Sequence, residues 1–356
     1  MLGIDARAAR YTWTAALVLL VLCLVYLVRS TLFVFIVALL FAYLLAPLVN
    51  VIDRILPARR TRGIALALSY LIFIGVLFVA VTQIGSRVIE QANSFRQSLP
   101  GLLVKWQQPS PSLPESVNEF KAQIVERAQQ QISASAGDII AAIPKAGAKI
   151  LSVAGDLIYV VIVPILGFFF LKDGGAIRQH FLDLIDNPSR RAMLDDLLVD
   201  VNLLLAHYMR AILLLSAATF VAYSIFFTIL GIPYSFLLAA LAAALEFIPM
   251  IGPLAAGTTI VIVTAVSGGP IVSALIFLLV YRFFQDYVLS PWLMGSGVEL
   301  HPLFVLFGVF AGAEVAGVPG AFLSVPVLAL IRIAYRRIQK ARAALRLKPA
   351  EPVVEA

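Results

Sequence analysis

Uninterrupted apolar runs decide what this chain can fold into. No residue is charged from Ala211 to Leu245, and none from Phe247 to Tyr281. Such stretches are the rule here. Of the 356 residues, 61% are hydrophobic and 13% are charged, whereas soluble domains are about 25% charged. A chain of this kind cannot cover itself with polar surface, so its solvent is lipid. No water reaches the bilayer core, and backbone groups there must be satisfied internally. The runs are continuous rather than alternating, and far longer than the roughly 10-residue strands of a membrane barrel. The predicted fold is all-α, a polytopic helical membrane protein.

The runs and the charges between them give a map. Residues 1–84 hold three N-terminal spans, Trp13 to Val28, Thr31 to Val51 and Gly63 to Ile84. A signal peptide is the alternative for the first, but a second run comes directly after it and no small-residue cleavage site separates them. Only Arg29 and Ser30 lie between these two runs, which allows a tight hairpin or one long tilted helix. The loop DRILPARRTR has four arginines and one aspartate, and reads as cytoplasmic by the positive-inside rule. Residues 85–149 are polar, with breakers in QQPSPSLPES and an amphipathic stretch where Val117, Phe120, Ile124, Ala128 and Ile132 recur at helical spacing. They read as an extracytoplasmic helical segment.

A fourth span covers 150–171 and ends in FFFLKDGG, where Gly174 and Gly175 predict a helix stop. Residues 172–210 read as a cytoplasmic or interfacial helical segment. Residues 211–334 form the apolar core of the map, with plain spans at Ala211 to Leu230 and Pro270 to Leu289. The tail at 335–356 is mostly basic: RIAYRRIQKARAALRLK has seven basic residues and no acid, which suits anionic headgroups. The net charge of +7 thus flanks spans and does not indicate nucleic acid as a partner. Six plain spans, with two interrupted runs left uncounted, put both termini in the cytoplasm.

The interrupted runs carry the chemistry. One is PYSFLLAALAAALEFIPMIGP, from Pro233 to Pro253; the other is PLFVLFGVFAGAEVAGVPG, from Pro302 to Gly320. Each begins at a proline, has a glutamate 13 or 12 residues later, and then meets Pro and Gly within seven residues. Small residues crowd both glutamates and let helices pack closely. The pair reads as a weak internal repeat of broken or re-entrant hairpins on either side of one span, the arrangement of secondary transporters. Pro249 and Pro253 lack N–H donors, and Gly252 permits unusual dihedrals. A break there frees backbone groups at membrane depth, which is tolerated only inside protein or a wet cavity. Glu246 at that point can bind a cation or carry a proton. An intramembrane carboxylate costs roughly 2.5–3.5 kcal/mol on insertion scales, which makes it a functional candidate; the alternative is a structural hydrogen-bonding role. Glu314 is its counterpart. Arg282 and Asp286, four apart on one helix face, read as a self-neutralising pair or as a switchable one, with Gln285 beside them.

At these residues the sequence resembles the autoinducer-2 exporter family, also called PerM-type permeases. The resemblance rests on FFFLKDGG, on EFIPMIGP and on QDYVLSPWLMGSGVELHPLFVLFGVFAGAEVAGVPGAFLSVP. It implies a multi-pass transporter of the bacterial inner membrane with about eight spans, broken helices included. The family is named for export of the signal autoinducer-2, and some members are described as sodium or lithium/proton antiporters. The implied partners are the lipid bilayer, a small polar solute and/or sodium and protons, and further copies in a homo-oligomer. It supplies no residue roles; those given to Glu246, Pro249, Gly252, Pro253, Arg282, Gln285, Asp286 and Glu314 are physical readings.

Other functions fit less well. No G-x-x-x-x-G-K-[ST] occurs, so the chain itself is not expected to use ATP or another cofactor. The one cysteine, Cys23, gives neither a disulfide framework nor a cysteine metal site. Ser296 and His301 share one proline-bounded turn, a poor setting for a nucleophile, its base and an oxyanion hole. An aspartyl protease would have to pair Asp286 with Asp156, and nothing in the sequence joins them. A passive channel or a membrane scaffold is the remaining alternative.

Overall fold

The computed structural model describes residues 6–56, 61–107, 157–294 and 300–346. Every regular element among them is helical. Six of the helical segments are long and apolar enough to cross a membrane. Large side chains such as Leu71, Phe78, Val272 and Phe283 stay exposed on the outside of the fold. In lipid that exposure costs nothing, and the chain is an all-α polytopic membrane protein.

Helix α1 covers Ala6–Leu27 and α2 covers Arg29–Ile55. The hydrogen-bond ladder runs on between them, with Val28 N–H to Leu24 O and Leu32 N–H to Val28 O, both 3.0 Å. Val28 departs only to φ −94, ψ 12. The tight hairpin is therefore not formed, because the junction holds no Gly or Pro to reverse it. The parity count, which took these runs as two crossings, needs a reversal that the backbone does not make there.

Helix α3 (Thr61–Ala80) passes through a π-helical turn, Val81–Gly85, into α4 (Ser86–Gln107). The stripe predicted from Val117 to Ile132 lies outside the described residues. Helix α5, Leu157–Asp183, runs straight through Gly174 and Gly175. The predicted stop is wrong. A helical glycine costs only about 1 kcal/mol against alanine, and the helix-favouring AIRQHFLD just after the pair carries the turn ladder on. Helix α6, Pro188–Ile229, starts under the cap of Asn187, whose Oδ1 accepts from Ser189 N and Arg190 N. Its 42 residues make a rod about 63 Å long. The interfacial segment and the fifth span are thus one helix.

Two hairpins come next along the chain. Helices α7 (Ser235–Leu245) and α8 (Ile251–Val266) are the arms of the first. Helix α9 (Ile271–Phe284) leads through a second π-helical segment, Gln285–Leu289, into the short α10 (Ser290–Met294). Helix α11, Pro302–Arg346, is broken at Ala316 and Gly317. Its arms fold back on one another, because a Cβ on Gly312 would overlap the Gly320 carbonyl and the reverse also holds. The two backbones touch where only glycine allows it.

Three apolar clusters hold the helices. Leu45, Val49, Ala65, Leu66 and Leu171 join α2, α3 and α5. Tyr70 adds a hydrogen bond to Pro164 O at 2.7 Å, and Arg62 one to Leu171 O at 3.0 Å. Phe227, Leu238, Ile260 and Phe277 join α6, α7, α8 and α9. Leu40, Leu204, Leu205 and Ala329 join α2, α6 and the second arm of α11. At the far end of that arm Arg337 reaches Asp196 and Asp200 of α6, at 2.8 and 2.7 Å.

Candidate functional site

The break in the first hairpin arises from EFIPMIGP. Helix α7 ends with Glu246 as its C-cap. The chain tightens, with Ile248 N–H bonding Leu245 O at 2.9 Å, and Pro249 has no N–H to continue the ladder. Met250 then sits at φ 64, ψ −51, and Ile251 N–H bonds Pro249 O at 2.7 Å. This is a γ-turn of the rare, strained, positive-φ kind. Gly252 is buried against the Leu245 carbonyl, where a Cβ would overlap the oxygen. Pro253 falls in the first turn of α8, where its missing N–H is no loss. The break also leaves carbonyls without a helical partner. Ser216 of α6 donates to one of them, Ala243 O, at 2.8 Å.

Glu246 therefore stands at the tip of the hairpin, half-buried. Gln285 Nε2 donates to its Oε1, and the Gln285 side chain is only 3% exposed. Thr219 of α6 lies beside the same carboxylate. The Thr219 hydroxyl also pairs with Tyr281 OH at 3.1 Å, and both residues are buried. Arg282 and Asp286 lie within electrostatic reach of Glu246. They pair with each other, Nε to Oδ2, at 2.8 Å. Tyr223 closes the cluster below, its ring 5.1 Å from that of Tyr281.

Gln285 opens the π-helical segment. A single π-turn inside an α-helix shifts the phase of the residues C-terminal to it, and such turns are frequent at functional sites. Here Gln285 meets the hairpin tip while Asp286 stays on the exposed side with Arg282. Since Asp286 takes up the arginine charge, the ionised trio keeps one net negative charge. The amide adds versatility. It donates to a carboxylate through its NH₂, and turned over it accepts from a carboxyl through its oxygen.

The structure thus brings together Glu246, Gln285, Arg282 and Asp286, and places Pro249, Gly252 and Pro253 at the break beside them. Glu314 is not part of this group. It is exposed, two residues before the bend of α11, and makes no hydrogen bond or ion pair among the described residues. An apolar contact links the hairpins, with Phe247 and Phe322 at 5.7 Å between ring centroids. Sequence reading missed Thr219, Tyr281 and Ser216. The available signal was the spacing of Ser216, Thr219 and Tyr223 along one face of an uncharged span. His301 accepts the Leu303 N–H through Nδ1 at 3.2 Å and so caps α11. Ser296 and Asp156 lie outside the described residues.

A broken helix with a carboxylate at its tip thus lies inside a polytopic helical membrane fold. Comparison with known sequences gives the family. The family described as AI-2E family transporter matches residues 15–340. The chain belongs to it and is a membrane transport protein. Among the relatives is "Putative transport protein YueF" of Bacillus subtilis, 25% identical over 364 residues, spanning 95% of this chain and 98% of the relative. "Putative transport protein YrrI" of the same organism is 26% identical, spanning 86% of this chain and 87% of its own. "Putative permease PerM" of Escherichia coli K12 is 25% identical, spanning 76% of this chain and 78% of its own.

Proposed function

We propose that this chain is a secondary transporter of the bacterial inner membrane whose coupling group is Glu246. The observation that carries the reading is the Glu246 tip itself. A carboxylate meets an amide from another helix at a strained break, with the Thr219 hydroxyl of α6 beside it, and the arginine near it is already paired. Such a group exchanges a proton or a small cation with modest rearrangement, because Gln285 can turn over and serve either form. The transported species is a small polar solute of the autoinducer-2 kind, or sodium or lithium moving against protons. Both readings use the same carboxylate.

The first hairpin is re-entrant in this proposal. Helix α7 has 11 residues and is about 16 Å long, against a hydrocarbon core of about 30 Å. The basic loop at 53–62 and the basic tail face the cytoplasm. Lipid or further copies of the chain in a homo-oligomer cover α1, whose apolar residues are exposed along its length.

Proteoliposome flux tests the proposal, with and without imposed proton and sodium gradients. Wild-type flux is expected to follow one gradient and to saturate with substrate. Non-saturating flux that ignores both gradients makes the chain a channel and removes the coupling role.

A further inference from the structure

Arg87, Gln91 and Phe95 are spaced by four along α4, which aligns them on one face. All three meet the start of α7. The Phe95 ring stands edge-on to Tyr234, with centroids 5.0 Å apart. The Arg87 guanidinium lies over the Phe236 ring at 5.3 Å. Gln91 Oε1 accepts the Leu237 N–H at 3.0 Å. The first N–H groups of a helix have no partner inside it. Tyr234, the N-cap of α7, offers no side-chain cap and sits in the left-handed region at φ 59. The cap of this arm therefore comes from another helix, 146 residues away in sequence.

Helix α7 is short and stiff, and its two ends are Leu237 with its Gln91 bond and Glu246 with its Gln285 bond. Between them the buried face is Leu238, Ala239, Ala242 and Ala243. Alanines present shallow ridges, so apart from the Ser216 bond to Ala243 O near its C-terminal end this face resists sliding along α6 weakly, and the contacts toward the two ends fix the axial position. We infer that Gln91 is a positioning residue for Glu246: by capping α7 from α4, it sets the register at which the carboxylate reaches Gln285 and Thr219. Arg87 and Phe95 hold the same turn in place from either side of Gln91. Loss of the cap lets α7 shift along its axis, and the carboxylate leaves the Gln285 amide and the Thr219 hydroxyl beside it.

This deepens the proposed function and rests on it only for the consequence in flux. The test reads the site directly. Full-length protein in liposomes is treated with dicyclohexylcarbodiimide, which modifies carboxyl groups in apolar surroundings, and the Glu246 adduct is quantified by peptide mass spectrometry. Gln91→Ala is expected to raise the labelling of Glu246 several-fold, while amide hydrogen exchange in α5 stays at the wild-type level. Gln91→Glu keeps an acceptor oxygen and is expected to restore wild-type labelling. Labelling of Gln91→Ala equal to wild type overturns the inference, and so does failure of Gln91→Glu to differ from it. A second route avoids removing the cap. In a Cys23→Ser chain carrying Phe95→Cys and Tyr234→Cys, a short bifunctional thiosulfonate joins α4 to the mouth of the hairpin. Cross-linking is expected to depress Glu246 labelling below wild type, with recovery on reduction. Unchanged labelling after complete cross-linking also overturns the inference. Glu246 labelling responds to Gln91 whether or not flux proves to be coupled, so the two readings fail separately.

Discussion

Glu246 and Glu314 stand 13 and 12 residues after a proline, in arms rich in alanine and glycine that soon break. The first is half-buried at the tip of its hairpin, with Gln285 donating to its carboxylate and Thr219 beside it. The second is exposed and without a partner among the described residues. The breaks differ too. The first hairpin turns through a strained γ-turn at Met250, and its arms touch backbone to backbone only right beside that turn, at Gly252 and the Leu245 carbonyl, with side chains packed further out. The second turns at Ala316 and Gly317, and its arms touch backbone to backbone at Gly312 and Gly320. Their anchors also contrast. The mouth of the first is gripped by an amide and two aromatic contacts from α4, whereas the end of the second is tied to α6 by Arg337 and two aspartates. A shared sequence plan has thus produced one titratable tip and one close-packed blade. What separates them is the neighbours each carboxylate meets, and those neighbours come from α6 and the π-helical segment.

The largest expected effect is on coupling. Glu246→Gln should bring gradient-driven flux in proteoliposomes down to that of empty liposomes, with the protein still folded by circular dichroism. Glu314→Gln should leave flux within about a factor of two, as expected of an exposed group without partners. Equal losses at the two positions would erase the distinction between the hairpins. Next come the glycines. Gly252→Ala places a methyl on the Leu245 carbonyl, and Gly312→Ala places one on the Gly320 carbonyl. Each should cost roughly 1–3 kcal/mol, read as a lowered midpoint of thermal unfolding in detergent. Gly317→Ala should cost a comparable amount for a different reason, since φ 63 with ψ −146 is a region almost reserved for glycine and strain there costs about 1–3 kcal/mol.

Thr219→Val removes the hydroxyl that lies beside Glu246 and pairs with Tyr281, while keeping the shape. It should slow coupled flux by up to about tenfold, in line with a net hydrogen bond of about 1 kcal/mol. The same flux at every pH tested would show that the hydroxyl serves only Tyr281. The smallest effect belongs to Arg337→Ala. Its ion pairs are partly exposed and screened, so the unfolding midpoint should drop slightly at low salt and match wild type at high salt. A drop that persists in high salt would mean that the arginine stem packs against α6 and holds the second hairpin by contact.

Much of this was legible in the residues. Charge-free runs require helices in lipid, and Pro249 with Gly252 requires a break close to Glu246. The i, i+4 spacing of Arg282 and Asp286 fixes their pairing without any tertiary knowledge. Other features were hidden for physical reasons. Gly174 and Gly175 carry a small helical penalty that their helix-forming neighbours outweigh, so the predicted stop failed. The junction at Val28 has no breaker, and only the intact ladder shows that α1 runs into α2. Thr219 and Ser216 look like ordinary helix residues, because their importance comes from a carbonyl and a carboxylate that another helix delivers. Gln285 continues the buried face of Ala274, Phe277 and Tyr281 at helical spacing, but the carboxylate it meets is delivered by another helix. Glu314 resembled Glu246 in local sequence, and local sequence holds no information about which helix passes alongside.

The shortness of α7 has a consequence for how the protein is made. A segment of 11 residues is too brief to leave the translocon for the bilayer alone, and it ends in a carboxylate. As the re-entrant arm proposed above, it would enter the lipid only together with α8, as one folded pair. Residues 302–315, about 21 Å long as a helix, face the same requirement before the bend at Gly317. Biogenesis of this chain is therefore expected to proceed by hairpins after α6, and in a released chain truncated after Leu245 a cysteine placed in α7 should stay reachable by a water-soluble maleimide.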